Sequence, residues 1–298
     1  MPELPDVSLY VEHVARRVTG AVLTEARVAG LNLLRTVDPP LAAAVGRTAT
    51  GARRIGKRVA IGFDDGLWLV FHLMIAGRLH WFDAPQPPKG RPLAVLRFAT
   101  GTLTLTEAGT KHRASLHVVR GEAALAALDP GGLEVLDAGL AEFAARLREG
   151  DHTLKRALTD PRTFSGIGNA YSDEILHRAR LSPLRRTSQL ADAEVATLRD
   201  AIRDVLGEWT ARLRAEAGER FPEGVTAFRP DFAVHGRYGQ PCPVCAAPVQ
   251  RIRYAEHETN YCARCQTAGR LLADRGLSRL LRGDWPRTLE ELEELKRG

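Results

Sequence analysis

Near the end of this 298-residue chain, Cys242-Pro-Val-Cys245 is followed by sixteen residues and then by Cys262-Ala-Arg-Cys265, and the sequence holds no other cysteine. Each Cys-x-x-Cys pair can set two thiolates on one cation. Two such pairs complete the closed tetrahedral donor set of a structural zinc. A closed thiolate shell leaves no position for a reactive water, so the spacing predicts one structural Zn²⁺ and not a catalytic one. Four clustered cysteines in a chain this long also exclude a disulfide scaffold and predict a reducing compartment, the cytoplasm. Val249 to Tyr261 is long enough for two strands and a turn, which predicts a zinc ribbon.

The rest of the chain changes pattern once. Pro5 and Asp6 supply a helix start, and Val7, Tyr10, Val11, Val14 and Val18 recur at helical spacing. Val59 to Phe63, the turn Asp64-Asp65-Gly66 and Leu67 to Phe71 predict a β-hairpin. Further strands are expected over 94–100, 102–106 and 115–119, with a Pro-rich loop over 84–92. From about Gly131 the apolar spacing becomes helical, over 138–147, 152–158, 169–181 and 190–217, and the acidic run Glu290 to Glu294 reads as a solvated terminal helix. The expected class is α+β in three parts: a β-rich domain with a leading helix over 1–130, an α-rich domain over 131–231, and a zinc module with its tail over 232–298. The longest apolar run, Gly66 to Gly77, has twelve residues. A bilayer span needs about 20, so no membrane partner is expected. Lys and Arg number 42 against 36 Asp and Glu, a net charge of +6 that leans weakly toward a polyanionic partner.

Three further features carry candidate chemistry. The chain begins Met1-Pro2-Glu3, and removal of Met1 would expose a secondary amine on Pro2. An α-amine titrates near pH 8 and a Lys near 10.4, so far more of a terminal amine is nucleophilic at neutrality. Glu3 beside it is a candidate general acid. The basic run Arg53-Arg54-Ile55-Gly56-Lys57-Arg58 is either a solvated strand edge or an anion contact. Gly166-Ile167-Gly168-Asn169 stands just before a helix, where backbone amides and the helix dipole favour phosphate. The plain alternatives are a frayed terminus and an interhelical turn.

Taken together and in order, these residues resemble the formamidopyrimidine-DNA glycosylase and endonuclease VIII family of base-excision repair enzymes. The match runs from Pro2-Glu3-Leu4-Pro5 through Lys57 and the His72 to Leu79 segment. It continues with Gly166-Ile-Gly-Asn-x-Tyr-x-x-Glu174 and ends at His235-Gly236-Arg237 and the cysteine pairs. The resemblance implies an N-terminal β-sandwich, a helix-two-turn-helix domain and a zinc ribbon. It implies a bifunctional glycosylase and abasic-site lyase acting as a monomer on double-stranded DNA with a damaged base or abasic site. Pro2 would be the Schiff-base nucleophile, Glu3 the acid and Lys57 an assistant at the sugar or phosphate. His72, Gly168, Asn169, Arg237, Arg253 and His257 would contact DNA, and Met74, Ile75 and Arg113 would wedge into the duplex. The competing class is a non-catalytic zinc-ribbon protein that recognises damaged DNA.

The sequence departs from the family pattern at several points. His257 stands where the family has a phosphate-gripping Arg, with Arg251 and Arg253 as candidate substitutes. Ile75, with Met74 beside it, stands at the place of the family's void-filling Met, and the loop from Glu107 to Arg113 holds no Phe. The segment from Arg220 to Phe232 is short for a loop that caps 8-oxoguanine, so a different preferred lesion is expected.

Overall fold

A computed structural model describes residues 1–30, 32–84, 91–109, 111–225, 228–254, 257–273 and 286–297. It divides into two compact units, one of Met1–Pro130 with Glu208–Ala227, the other of Gly131–Gly207 with Phe228–Gly298.

The first unit opens with helix α1 (Leu4–Val18), in which Pro5 occupies the first turn and Arg16 and Arg17 the last. Pro tolerates the first turn because its missing N–H would have no helical partner there, and the arginines oppose the partial negative charge of the C-terminus. Val7, Tyr10, Val14 and Val18 are fully buried, as their spacing predicts. Eight strands follow: β1 (Leu23–Val28), β2 (Ala49–Ile55), β3 (Arg58–Phe63), β4 (Leu67–His72), β5 (Gly77–Asp83), β6 (Ala94–Phe98), β7 (Gly101–Glu107) and β8 (Ser115–Arg120). They form two antiparallel sheets, ordered β1-β6-β7-β5 and β2-β3-β4-β8. One core takes Leu23, Leu79, Leu96 and Leu103 from the first sheet, Val59, Ile61, Leu69 and Leu116 from the second, and the apolar stripe of α1. This is the β-sandwich with a leading helix.

The expected hairpin is β3–β4. Gly66 takes φ +75 in its turn, and Asp65 Oδ1 accepts from Leu67 N at 3.1 Å. Strands β1, β2 and β5 are not marked by the alternation of the sequence, and residues 85–90 of the expected Pro-rich loop lie outside the described residues. After β8 comes the short helix α2 (Gly121–Ala126).

In the second unit, α3 (Leu140–Arg148), α4 (Leu154–Thr159) and α5 (Asn169–Arg178) precede α6 (Asp192–Ala217). Strands β9 (Gln250–Tyr254) and β10 (His257–Tyr261) pair antiparallel as the predicted ribbon. Short helix α7 (Ala263–Thr267) carries Cys265, and α8 (Leu289–Arg297) is the acidic tail. Leu289 at the start of α8 is buried with Val249, Tyr261 and Leu272, so that helix is seated at its first turn.

The last turns of α6 and the residues after it belong to the first unit, where they pack against α1. Glu12 on α1 holds Arg214 at 2.6 Å, Arg16 holds Glu219 at 2.8 Å, and Phe221 lies 5.8 Å from the Tyr10 ring. Helical periodicity marks where a helix runs but not which core it serves.

Gly77 turns the chain from β4 into β5. Its amide donates to Leu73 O at 2.9 Å, and a Cβ there would stand 2.3 Å from that oxygen. Gly77→Ala should therefore destabilise the first unit by about 2 kcal/mol or more, in the range of overpacked sites. A thermal melt checks this, and an unchanged transition would refute the close approach.

Candidate active site and zinc centre

The chain's amino end is the first candidate site. Pro2 and Glu3 are buried, and Glu3 N donates to Asp6 Oδ2 at 3.0 Å, fixing the entry into α1. The Met1 amine is held below the usual α-amine value, chiefly by burial; Arg78 and Lys57 push the same way, while Glu3 and Asp6 oppose them. Desolvation disfavours the ammonium form, so this pocket shifts the terminal amine toward the nucleophilic free base. Lys57, in the β2–β3 turn just after Gly56 at φ +55, is near enough for its charge to be felt at the amine. The structure thus brings together the terminus, Glu3 and Lys57. It adds Arg78, whose Nη1 donates to Gly77 O at 2.7 Å. Arg78 lies within the His72 to Leu79 segment, where nothing in the residue pattern singles it out.

His72 ends β4 directly opposite Arg58 of β3. Burial, then Arg58, Lys57 and His117, lower its pKa to about 4, so its imidazole is neutral at pH 7. Met74 and Ile75 form the turn between β4 and β5, Met74 at φ +52 and Ile75 54% exposed. Arg113 is exposed in the segment after β7, where its amide donates to Glu107 Oε1 at 2.9 Å. The two loops meet at Ala108 N, which donates to Ala76 O at 3.4 Å.

In the second unit the site is built on α5. Gly168 precedes it and its carbonyl accepts from Ser172 Oγ at 2.6 Å. Asn169 Nδ2 donates to Glu258 O at 2.8 Å, which ties the start of α5 to β10. Ser172, Asp173, Glu174 and His177 are polar yet buried. Asp173 accepts from Lys155 Nζ at 2.5 Å through one oxygen, and from Asn260 N at 3.0 Å through the other, which also lies 2.8 Å from His235 Nδ1. Glu174 accepts from the amides of Ala233, Val234 and His235 at 2.6 to 2.9 Å. Burial still raises its carboxyl above the usual range. Two adjacent carboxylates therefore hold α4, β10 and the segment leading into the ribbon. Of this set only Glu174 and His235 lay within the sequence motifs; Lys155 and Asp173 had no sequence signal apart from the structure.

The four cysteine sulfurs lie within 4.8 Å of one another, with Cys242 and Cys265 Sγ 3.9 Å apart and Cys245 and Cys262 Sγ 3.4 Å apart. A tetrahedral zinc with Zn–S bonds of about 2.3 Å needs sulfurs spaced about 3.8 Å, so the donor set fits one structural Zn²⁺. Burial pushes the Cys262 thiol up to about 11 and raises Cys265 further, a cost that a bound cation reverses by displacing the protons. His177 Nε2, at the far end of α5, stands 3.3 Å from Cys242 Sγ, an outer partner that the sequence reading missed.

Arg237 Nη1 donates to the carbonyls of Pro230 and Phe232 at 3.1 and 3.0 Å, so it braces its own loop. Arg253 is exposed, with Nε 3.4 Å from Glu258, and Arg251 lies 4.1 Å over the Tyr238 ring. The backbone of His257 pairs with Tyr254 in the ribbon, and its side chain lies outside the described residues.

Two outcomes test these assignments. Lys155→Met leaves a buried carboxylate uncompensated and should cost about 3–5 kcal/mol, whereas Lys155→Met with Asp173→Asn should cost less than the sum of the singles. Additive losses in a denaturation cycle would contradict the pairing. Cys262→Ser should release zinc to a colorimetric chelator and unfold the ribbon; full zinc retention would remove Cys262 from the donor set.

Comparison with known proteins agrees with this geometry. The formamidopyrimidine-DNA glycosylase N-terminal domain family matches residues 1–114, and its H2TH domain family matches 132–214. The zinc finger found in FPG and IleRS matches 239–268. A formamidopyrimidine-DNA glycosylase of Roseiflexus is 34% identical over 89% of this chain and 100% of its own. An uncharacterized formamidopyrimidine-DNA glycosylase-like protein of Mycobacterium tuberculosis is 38% identical over 51% of this chain and 94% of its own. Among solved structures, the MutM (FPG) protein of Thermus thermophilus superposes with a TM-score of 0.75 at 31% identity, covering 89% of this chain and 98% of that one. A Lactococcus lactis FPG complexed with Fapy-dG containing DNA reaches 0.78 at 23% identity, covering 89% and 100%, and bears on the fold alone. With the sandwich, the α5 anchor and the four-thiol centre all in place, the chain belongs to the formamidopyrimidine-DNA glycosylase family.

Proposed function

We propose that the protein is a DNA glycosylase with abasic-site lyase activity, acting as a monomer in the cytoplasm on double-stranded DNA that carries a damaged base or abasic site. The observation that carries this reading is the amino end: a partly desolvated terminal amine whose pKa is lowered, beside the buried Glu3 and within the field of Lys57 and Arg78. The names of the relatives support it. No described helix is long and apolar enough to cross a membrane.

With Met1 removed, the Pro2 nitrogen takes the nucleophile's place. Its lone pair forms a bond to C1′ of an extruded nucleotide as the C1′–base bond breaks and the base leaves with the electron pair. Glu3 protonates O4′, the ring opens, and nitrogen loses its proton to give an iminium at C1′. That cation is an electron sink. Loss of a C2′ proton then expels the 3′ phosphate, and a further elimination can expel the 5′ phosphate. Burial first, then Arg78 and Lys57, push the terminal amine toward the free base, and Lys57 also meets phosphate. His72, Gly168, Asn169, Arg237, Arg253 and His257 are the proposed DNA contacts, and Met74, Ile75 and Arg113 the proposed wedge. In this reading residues 1–130 carry catalysis, 131–231 the helix-two-turn-helix grip and 232–298 the ribbon.

Borohydride reduction in the presence of abasic duplex should trap a covalent complex. Pro2→Gly should lower trapping by about 100-fold, and Glu3→Gln should abolish base removal while duplex binding persists. Undiminished trapping by Pro2→Gly would overturn the mechanism. Tight binding with no trapping by the unaltered protein would favour a non-catalytic damage binder. Across a panel of lesions, efficient 8-oxoguanine excision opposite cytosine would refute the expected change of lesion preference.

A further inference from the structure

One face of the second sheet holds more positive charge than the proposed DNA contacts use. In register, Arg58 of β3, His72 of β4 and Ser115 of β8 stand in one row, and His117 stands opposite Val70, one step along the same face. Directly paired residues point the same way, and residues two apart on a strand share a face. Farther along the same face Ala60, Val70 and Val119 close against Leu125 of α2 as a small apolar cluster. The polar row is therefore the rim of a packed floor, not a set of free-swinging surface side chains.

Two buried nitrogens on this rim, Arg58 Nε and His117 Nδ1, have no hydrogen-bond partner among the described residues. Arg58 Nε is a donor, and His117 Nδ1 is one in the tautomer that carries its proton there; a buried donor left unmade costs about 1–3 kcal/mol, so this face points to an acceptor supplied from outside. The charge balance points the same way. Burial, then Arg58 and Arg35, hold the His117 pKa below its usual value, and among the described residues Asp129 is the carboxylate whose field is felt at Arg58. Arg35 is exposed, with its amide bonded to Leu116 O of β8 at 2.9 Å, which places it along the same edge. A metal does not suit the cluster, because the cations would repel it and the cysteine quartet is the metal-competent group found among the described residues.

We propose that Arg58, His117 and Arg35 form an additional phosphodiester-binding strip, continuous with Lys57 and His72, that takes a duplex phosphate beyond those assigned above. Arg58 supplies the permanent charge and a planar fork of donors suited to two phosphate oxygens. His117 supplies a donor, and Arg35 extends the strip along β8. This rests on the reading of the protein as a DNA enzyme.

The test uses the full-length protein, an undamaged duplex and an abasic duplex, with Kd measured against salt concentration. Each neutralised phosphate contributes about 0.9 to the slope of log K against log salt, so Arg58→Gln with His117→Gln should lower the slope by about one unit and affinity about 10-fold, while Arg58→Lys keeps the slope. Single methylphosphonate substitutions should reveal one phosphate whose neutralisation weakens the unaltered protein about 5-fold but leaves the double variant unmoved. If the double variant melts early, His117→Gln alone is put through the methylphosphonate scan. Unchanged slopes with an intact melt, or the same scan for both proteins, would overturn the strip. Borohydride trapping is read in parallel. Normal trapping with unchanged slopes refutes the strip and leaves the enzyme reading; a changed slope without trapping upholds the strip and refutes the lyase.

Discussion

Taking a charged group out of water costs several kcal/mol unless partners replace the lost hydration, and this constraint organises both units of the molecule. In the second unit, Asp173 and Glu174 meet it by accepting from Lys155, Asn260 and three consecutive amides of the segment before the zinc ribbon, with His235 beside Asp173. In the first unit it acts on the terminal amine, where burial and neighbouring cations favour the neutral form. Buried carboxylates answer by fixing their surroundings; a buried amine answers with a lowered pKa. The first response ties the elements of the second unit together, and the second is what the proposed mechanism draws on.

Helix α5 shows how the platform is connected. Its first residue, Asn169, reaches Glu258 of the ribbon, its middle carries the two carboxylates, and its end places His177 against Cys242. The zinc centre is thus tied to the helix start that the Gly-Ile-Gly-Asn motif marks. Metal loss should be felt along α5, since ribbon folding and metal binding share one free energy.

Much of this was legible from residue order. The spacing of Val7, Tyr10, Val14 and Val18 marked α1, Asp64-Asp65-Gly66 marked the hairpin turn, and the cysteine spacing marked the ribbon. What stayed hidden has physical reasons. Strand β1 alternates poorly because Thr24, Glu25 and Arg27 lie outside the core. Strand β5 alternates cleanly in burial, yet its inward positions Gly77, Leu79 and Trp81 sit beside half-buried Arg78, His80 and Phe82. Helix α5 lies within the expected 169–181, but its buried residues Ser172, Asp173, Glu174 and His177 are polar, and hydropathy does not mark their burial. Helix α6 begins in one unit, and its last ten residues, from Glu208 to Ala217, belong to the other, a division that local periodicity does not encode.

The central claim is chemical and local: the amine that attacks the sugar belongs to the second residue, freed by loss of Met1. Tandem mass spectrometry of the borohydride-reduced complex with abasic DNA locates that bond directly. The account predicts a sugar-derived mass on the nitrogen of Pro2 in a peptide lacking Met1. An adduct on Lys57 or another lysine, with Met1 retained, would contradict it.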